Sequence, residues 1–358
     1  MIRIGRDGLD RIPAYVPAAL TGIDLDLRDN VNLWGAPPNA LRAVQSAGAE
    51  SLFTYPAVSA ASLTELIASR LGVRDDEVVA GCGSDDLLDV CFRAVAAPGE
   101  RLAHAEPSFS MVPRFARLNG LEPVGVPLLP DGAADVDGLL ATGARIIYLC
   151  SPNNPTGTIT PESEVKRLIA NAPGIVVVDE AYGEFSSARD WRAESPAMER
   201  VLVLRTFSKA WGLAGLRVGY GVGSRTLIDA VIRSRGPYKV SALAELAATT
   251  ALREDEAWML SAAAEARENR ARLDAAVQGR AGVRAWASQG NFVFWQLEGR
   301  KAQGAAPDSA TIAARFAAHG IGVRGFSGLA DIGEALRIGM APWSMLRRVA
   351  DLVPGIWP

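Results

Sequence analysis

The sequence predicts an α/β fold: a large domain on a mostly parallel, doubly wound sheet, with a smaller α+β domain beside it. Three observations carry that expectation. Short β-branched runs alternate with amphipathic stretches through the middle of the chain, the pattern of strands joined by crossover helices. Runs such as IVVVD and RIIYLC are apolar without alternation, as strands covered on both faces are. At 358 residues the chain is too long for one small core and short for three domains.

Taken in order, residues 1–40 read as an N-terminal arm and part of the small domain, 41–265 as the large domain, and 266–358 as the small C-terminal domain. Strands are expected at Val78–Gly81, Arg101–Glu106, 122–128, 145–150, 174–179, Val201–Thr206 and 218–222. Amphipathic helical stretches such as 84–97 and 161–171 lie between several of them. From 241 to 277 the chain is helical in pattern and rich in Ala, Glu and Arg, which predicts a long helix leading into the small domain. Short strands resume at 291–296 and 335–338. A polar loop at 298–308 separates them, with its 302–307 part the expected mobile region. No internal repeat or low-complexity segment is present.

Composition excludes several classes of function. Apolar residues make up 49% and charged residues 22%, as in ordinary globular proteins. The net charge is −3 and no Lys/Arg run stands out, so there is no footprint for nucleic acid. The start, MIRIGRDGLDRIP, interleaves charges with single apolar residues, and no stretch approaches ~18 uninterrupted apolar residues. Neither a secretory signal nor a membrane span is expected, and the chain reads as cytoplasmic. Cys82, Cys91 and Cys150 lack C-x-x-C spacing and read as small buried hydrophobes. The two histidines, His104 and His319, stand apart from any ligand cluster, so no metal is expected.

Lysine is scarcer than the other cation. Among 37 basic residues only Lys166, Lys209, Lys239 and Lys301 are lysines. Arginine cannot give up its proton to become a nucleophile, whereas a desolvated lysine can. Lys166 falls on the polar face of a helix, Lys239 in a turn and Lys301 in a polar loop. Lys209, in RTFSKAWGLAGLRVGY, follows a buried strand, where open α/β sheets place their ligand sites.

Three further motifs cluster at strand ends. GIVVVDEAY carries Asp179, and no G-x-x-x-x-G-K-[ST] accompanies it, so a magnesium-holding role lacks its partner. A buried carboxylate there suits a protonated heterocyclic nitrogen or a helix cap, and Tyr182 stands ready to donate a hydrogen bond beside it. CSPNNPTGT is a tight loop that either only turns the chain or also brings the Asn154 amide into the same crevice. In GCGSDD, Ser84 or Asp85 caps the following helix, or the free N–H groups of that helix cup a phosphate.

In this order and spacing the motifs resemble the fold-type I pyridoxal-phosphate (PLP) enzymes, most of all the histidinol-phosphate aminotransferase family. The resemblance runs from 30–38 and Thr54-Tyr55-Pro56 to 336–340, and is most specific in SPNNPTGT, DEAY and TFSKAWGLAGLRVGY. It implies an aminotransferase-like large domain that binds pyridoxal 5'-phosphate. Lys209 would carry the cofactor as a Schiff base and shuttle the substrate's proton. Asp179 would pair with the pyridine nitrogen, Tyr182 and Asn154 would hold the phenolic oxygen, and Phe109 would stack on the ring. Ser84, Asp85, Thr206, Ser208 and Arg217 would surround the phosphate. Tyr55 would reach the phosphate bound by the other subunit, which implies a homodimer with shared active sites. Arg337 would clamp the amino donor's carboxylate, Arg324 would recognise a phosphate or carboxylate on the other substrate, and Asn32 would lie in the substrate-binding stretch. The reaction would be ping-pong transfer from an amino donor to a keto-acid acceptor, with histidinol phosphate and 2-oxoglutarate as the expected pair.

Three departures lie where substrates are told apart. The family's Asn-Glu-Asn-Pro is here Asn30-Val31-Asn32-Leu33, and its Pro-Tyr-Asn is Pro237-Tyr238-Lys239, setting a cation near the mouth of the site. The stretch after Arg337, Ile338-Gly339-Met340, lacks the usual hydroxyl. Aromatic amino acid aminotransferases and threonine-phosphate decarboxylases share the scaffold and stand as alternatives. A PLP-sensing regulator would need a DNA-binding module, which is not expected in a sequence that opens in aminotransferase-like fashion.

Overall fold

A computed structural model of the chain describes residues 21–298 and 308–356, with Leu9, Ile12 and Ala14. Lys301 and the 302–307 loop lie outside the described residues, as does most of the arm before residue 21.

The chain begins with β1 (Leu25–Asp26), α1 (Pro38–Gln45), α2 (Glu50–Phe53) and α3 (Ala61–Leu71). Strands and helices then alternate: β2 (Val78–Gly81), α4 (Gly83–Val95), β3 (Arg101–Glu106), α5 (Met111–Leu118), β4 (Glu122–Pro127), α6 (Val136–Ala141), β5 (Ile146–Cys150) and α7 (Glu162–Asn171). There follow β6 (Ile175–Asp179), β7 (Val201–Thr206), β8 (Gly219–Gly223), α8 (Arg225–Arg233), α9 (Ala242–Glu254) and α10 (Glu256–Val277). The remainder is β9 (Val283–Ala285), β10 (Phe292–Leu297), α11 (Ser309–Ala317), β11 (Ile321–Gly322), β12 (Arg324–Leu329), β13 (Gly333–Gly339) and α12 (Trp343–Ile356).

The seven strands expected for the large sheet are present, in the order β2-β8-β7-β6-β5-β3-β4. β8 runs antiparallel to both neighbours and the other pairs are parallel. Packing explains why these strands carry no polar alternation. Along β5, Ile146, Tyr148 and Cys150 meet α4, α5 and α8, while Ile147 and Leu149 meet α6 and α7. Along β6, Ile175 and Val177 take the first side and Val176 and Val178 the second. The same period puts Asp179, two residues beyond Val177, on the α4 side. Cys91 and Cys150 are buried as expected, whereas Cys82 is exposed, because it is the N-cap residue at the turn into α4 rather than part of the strand or helix core.

The small sheet is antiparallel, in the order β12-β13-β10-β9. Its edge strand β12, RGFSGL, contains two glycines and a serine, and nothing in its sequence announces a strand. Pairing with β13, from Arg324 opposite Arg337 to Leu329 opposite Gly333, imposes the extended form. The parallel pair β1–β11 ties Leu25 to Ile321, and Gly339 N–H donates to Leu27 O at 2.8 Å. The 25–27 segment is thereby stitched to the last third of the chain.

The long helix expected over 241–277 is two helices. Asp255 separates them because its buried carboxylate serves α1. It accepts from the N–H groups of Asn39 (3.0 Å) and Ala40 (2.9 Å) and from Asn39 Nδ2 (2.7 Å), satisfying donors that α1 cannot satisfy itself.

Candidate active site

A cavity of about 680 Å³ opens at the carboxyl ends of β3, β5, β6 and β7, where residues of the small sheet and the 29–31 segment close over it. β6 and β7 bring adjacent side chains to its floor. Asp179, 3% exposed, accepts from Tyr148 Oη at 2.8 Å and from Ala181 N–H at 3.0 Å. Burial pushes its carboxyl up to about 6, against the pull of those two hydrogen bonds. These partners leave Asp179 capping no helix, so the capping alternative lapses.

One strand over, the chain turns as Ser208 N–H donates to Thr206 Oγ1 at 3.1 Å, and Lys209 follows. Arg217 returns across the same turn in the left-handed region, φ 52°, with Nη1 donating to Ser208 Oγ (3.3 Å) and Ala214 O (3.2 Å). Its guanidinium passes so close to the first turn of α4 that a Cβ on Gly83 would lie 2.7 Å from Arg217 Nη2. Neither Ser84 nor Asp85 caps α4. Asp86 does the local work, accepting from Cys82 N–H at 3.1 Å, and Ser84 and Asp85 in the first turn of α4 line the cavity with Thr206, Ser208 and Arg217. A helix N-terminus, the hydroxyls of Ser84, Thr206 and Ser208 and one guanidinium form a cup suited to an anion, with the Asp85 carboxylate 3.9 Å from Arg217 Nη2 at its edge.

Lys209 Nζ donates to Asp29 O at 3.0 Å and stands 5.8 Å from the centre of the Tyr182 ring. Loss of water, then the charge of Arg337, holds its ammonium down at about 8, with Asp85 and Asp29 opposing. Tyr182 is buried edge-on against Phe292, accepts from Asn30 Nδ2 at 3.2 Å, and has its phenol pushed up by burial to about 12. Phe109 and Ser108 form part of the wall, with Ser108 Oγ donating to Asn153 Oδ1 at 2.9 Å.

The small sheet supplies a second cationic end. Arg337 and Arg324 are cross-strand neighbours. Arg337 lies between the Phe292 and Phe326 rings, 5.6 Å from each centre, and donates to Asn154 Oδ1 (2.5 Å) and Arg28 O (2.6 Å). Arg324 makes no hydrogen bond or ion pair among the described residues and rests 6.0 Å from the Phe326 ring.

All the expected site residues except Tyr55 and Asn32 line this cavity. Asn32 braces the chain behind Lys209, donating to Ala210 O at 2.8 Å and accepting from Trp34 N–H at 3.0 Å. Tyr55 is 82% exposed and stacks on Tyr238 with ring centres 4.7 Å apart. Lys239 does not line the cavity: its Nζ pairs with Asp86 Oδ1 at 2.8 Å in the first turn of α4. Sequence reasoning missed Asn30 and Tyr148. A tyrosine inside the apolar run RIIYLC was the available signal, since a buried hydroxyl needs a partner and Asp179 is the acceptor it meets. Among the described residues no group of His, Cys, Asp and Glu could hold a metal ion, and no helix is long and apolar enough to cross a membrane.

The family model for aminotransferase class I and II matches residues 23–351. An aromatic amino acid aminotransferase of Corynebacterium efficiens is 37% identical over 330 residues, covering 90% of this chain and 92% of that one. A histidinol-phosphate aminotransferase of Erythrobacter litoralis is 36% identical over 342 residues, covering 92% and 87%. Among solved structures, the histidinol-phosphate aminotransferase of Sinorhizobium meliloti in complex with pyridoxal-5'-phosphate has a TM-score of 0.85 at 27% identity, covering 93% of this chain and 91% of that one. With a cavity built at the strand ends and a family match across nearly its whole length, the chain belongs to the class I and II aminotransferases.

Proposed function

We propose that this aminotransferase uses pyridoxal phosphate to exchange an amino group between histidinol phosphate and 2-oxoglutarate. One observation carries the reading: a single cavity has an anion cup at one end, two arginines from the small sheet at the other, and Lys209 on its wall. The residues present fit the cofactor. Asp179 is a buried carboxylate raised to about 6 with, among the described residues, only a phenol and a backbone N–H at its oxygens, so a cationic ring nitrogen would relieve it. The cup at the start of α4 offers a phosphate the Arg217 guanidinium, three hydroxyls and a helix N-terminus.

On this reading Ser84, Asp85 (through its N–H), Thr206, Ser208 and Arg217 hold the phosphate. Asp179 pairs with the ring nitrogen, Phe109 covers the ring, and Tyr182 and Asn154 hold the phenolic oxygen. When bound, the cofactor supplies an electron sink for the bond broken at the substrate α-carbon. Lys209 Nζ, neutral in good part near pH 8, takes the proton from that carbon and returns it. Arg337 binds the α-carboxylate of glutamate with its fork of donors. Arg324, which has no protein counter-ion among the described residues, binds the phosphate of histidinol phosphate.

Replacing Arg324 tests the substrate. Arg324→Gln should raise KM for histidinol phosphate roughly 10- to 100-fold, the worth of one charged hydrogen-bonding contact, and leave KM for glutamate nearly unchanged. An unchanged KM for histidinol phosphate would remove Arg324 from this role. A second reading, transfer from aromatic amino acids, draws on the apolar wall of Phe109 and Phe326 and on the Corynebacterium relative. It makes phenylalanine or tyrosine the better donor in the same assay.

The working unit on this reading is a homodimer. Tyr55 and the nearby Leu52, Phe53 and Val58 are exposed, an apolar surface suited to a second copy whose cavity Tyr55 would enter. Within each chain the division at 40 and 265 remains our proposal, the second point falling inside α10.

A further inference from the structure

We propose that Asn30 is the positioning residue that turns the Tyr182 hydroxyl toward the bound cofactor, an inference that rests on the cofactor reading above. A phenol has one proton to donate and can accept on its oxygen. Asn30 Nδ2 donates to Tyr182 Oη at 3.2 Å, and among the described residues that hydroxyl makes no other hydrogen bond. With its oxygen engaged from the Asn30 side, Tyr182 has its own proton left for the cavity that both residues line. A group that could only accept at position 30 would reverse this, drawing the proton away from the cavity.

The backbone around Asn30 is set to deliver the amide there. Asn30 has φ 54°, in the left-handed region that few residues other than glycine adopt and that asparagine tolerates better than most. Three successive carbonyls pin the segment: Leu27 O accepts from Gly339 N–H (2.8 Å), Arg28 O from Arg337 Nη2 (2.6 Å) and Asp29 O from Lys209 Nζ (3.0 Å). Asn30 O itself accepts from Asn291 Nδ2 at 2.9 Å. The segment thus ties the Arg337 and Lys209 side chains together and brings the Asn30 amide to the third group, Tyr182. Asn30 is 2% exposed, yet among the described residues its Oδ1 has no hydrogen-bond partner. An amide kept to bridge the fold would pair both ends. Here only the end facing Tyr182 is used.

The test is a pH titration of the bound cofactor's near-visible absorption, with the cofactor's dissociation constant measured alongside. A hydrogen bond donated to the cofactor's phenolic oxygen favours its ionised form, so losing that bond raises the titration midpoint. Tyr182→Phe should raise it by about 1 pH unit, in line with a hydrogen bond to a charged oxygen. Asn30→Gly keeps the left-handed backbone and deletes the amide. Asn30→Asp keeps the shape and can only accept. Both should raise the midpoint and weaken cofactor binding, Asn30→Asp the more, and both shifts should shrink in a Tyr182→Phe background. If either variant fails to fold, the other carries the comparison. Midpoints equal to wild type, or shifts of the same size with and without the Tyr182 hydroxyl, would overturn the role of Asn30 alone. A wild-type protein with no near-visible band would instead overturn the cofactor reading on which it stands.

Discussion

Lys209 is held at about 8 by lost hydration and by Arg337, while Asp179, at the end of the neighbouring strand β6, is raised to about 6 by burial. Each shift disfavours the charged form of its group. For a lysine the sign runs as a lowered pKa: the amine is protonated below about 8 and neutral above it, whereas an ordinary lysine would stay charged up to about 10.4. The rate at which cofactor-free protein captures pyridoxal phosphate on Lys209 should therefore climb about tenfold per pH unit and level off near pH 8. Stopped-flow absorbance would measure it, and a rate still climbing at the ordinary lysine pKa would contradict the assignment. At this scale the sequence was informative wherever a residue's type was rare. One lysine of four followed a buried strand, and one carboxylate closed an apolar run. Asn30 and Tyr148 stayed hidden because their roles depend on partners 152 and 31 residues away.

Elements carry these residues to one place by period and register. β5 and β6 pair with Cys150 opposite Asp179, and β6 and β7 pair with Asp179 opposite Leu204, so their ends share one rim. The seven strands of the large sheet were legible because burial on both faces leaves long apolar runs in the sequence. β12 was not, because two glycines and a serine become a strand only through β13. The break between α9 and α10 was equally hidden: helix propensity is continuous there, and the competing demand comes from the bare N–H groups of α1. Asp255→Ala should lower stability by about 1–2 kcal/mol, the usual cost of a lost cap, while leaving the cofactor's absorption titration unchanged. Thermal unfolding of the holoenzyme would measure this, and an unaltered midpoint would show that α1 needs no such support.

The whole molecule places two sheets on either side of one cavity, with the segment that begins at Leu25 joining them. β1 pairs with β11, Leu27 with Gly339, and Asn30 reaches Tyr182 on the large-sheet side. On the proposed reading the cup on the large-sheet side would hold the cofactor's phosphate, and the two arginines of the small sheet would answer an anionic group of the substrate. None of this long-range stitching is local in sequence, which is why the motifs identified the family while the departures at 30–33 and 237–239 could not be interpreted without coordinates. Lys239, read as a cation at the mouth, is spent on Asp86 in α4, and Asn32 on the chain behind Lys209. The most direct test is a single-turnover absorption measurement on the purified protein with L-histidinol phosphate. The account predicts a near-visible cofactor band that bleaches on mixing and returns when 2-oxoglutarate is added. A protein without the band, or a band that histidinol phosphate leaves intact while phenylalanine bleaches it, would contradict the cofactor or the substrate respectively.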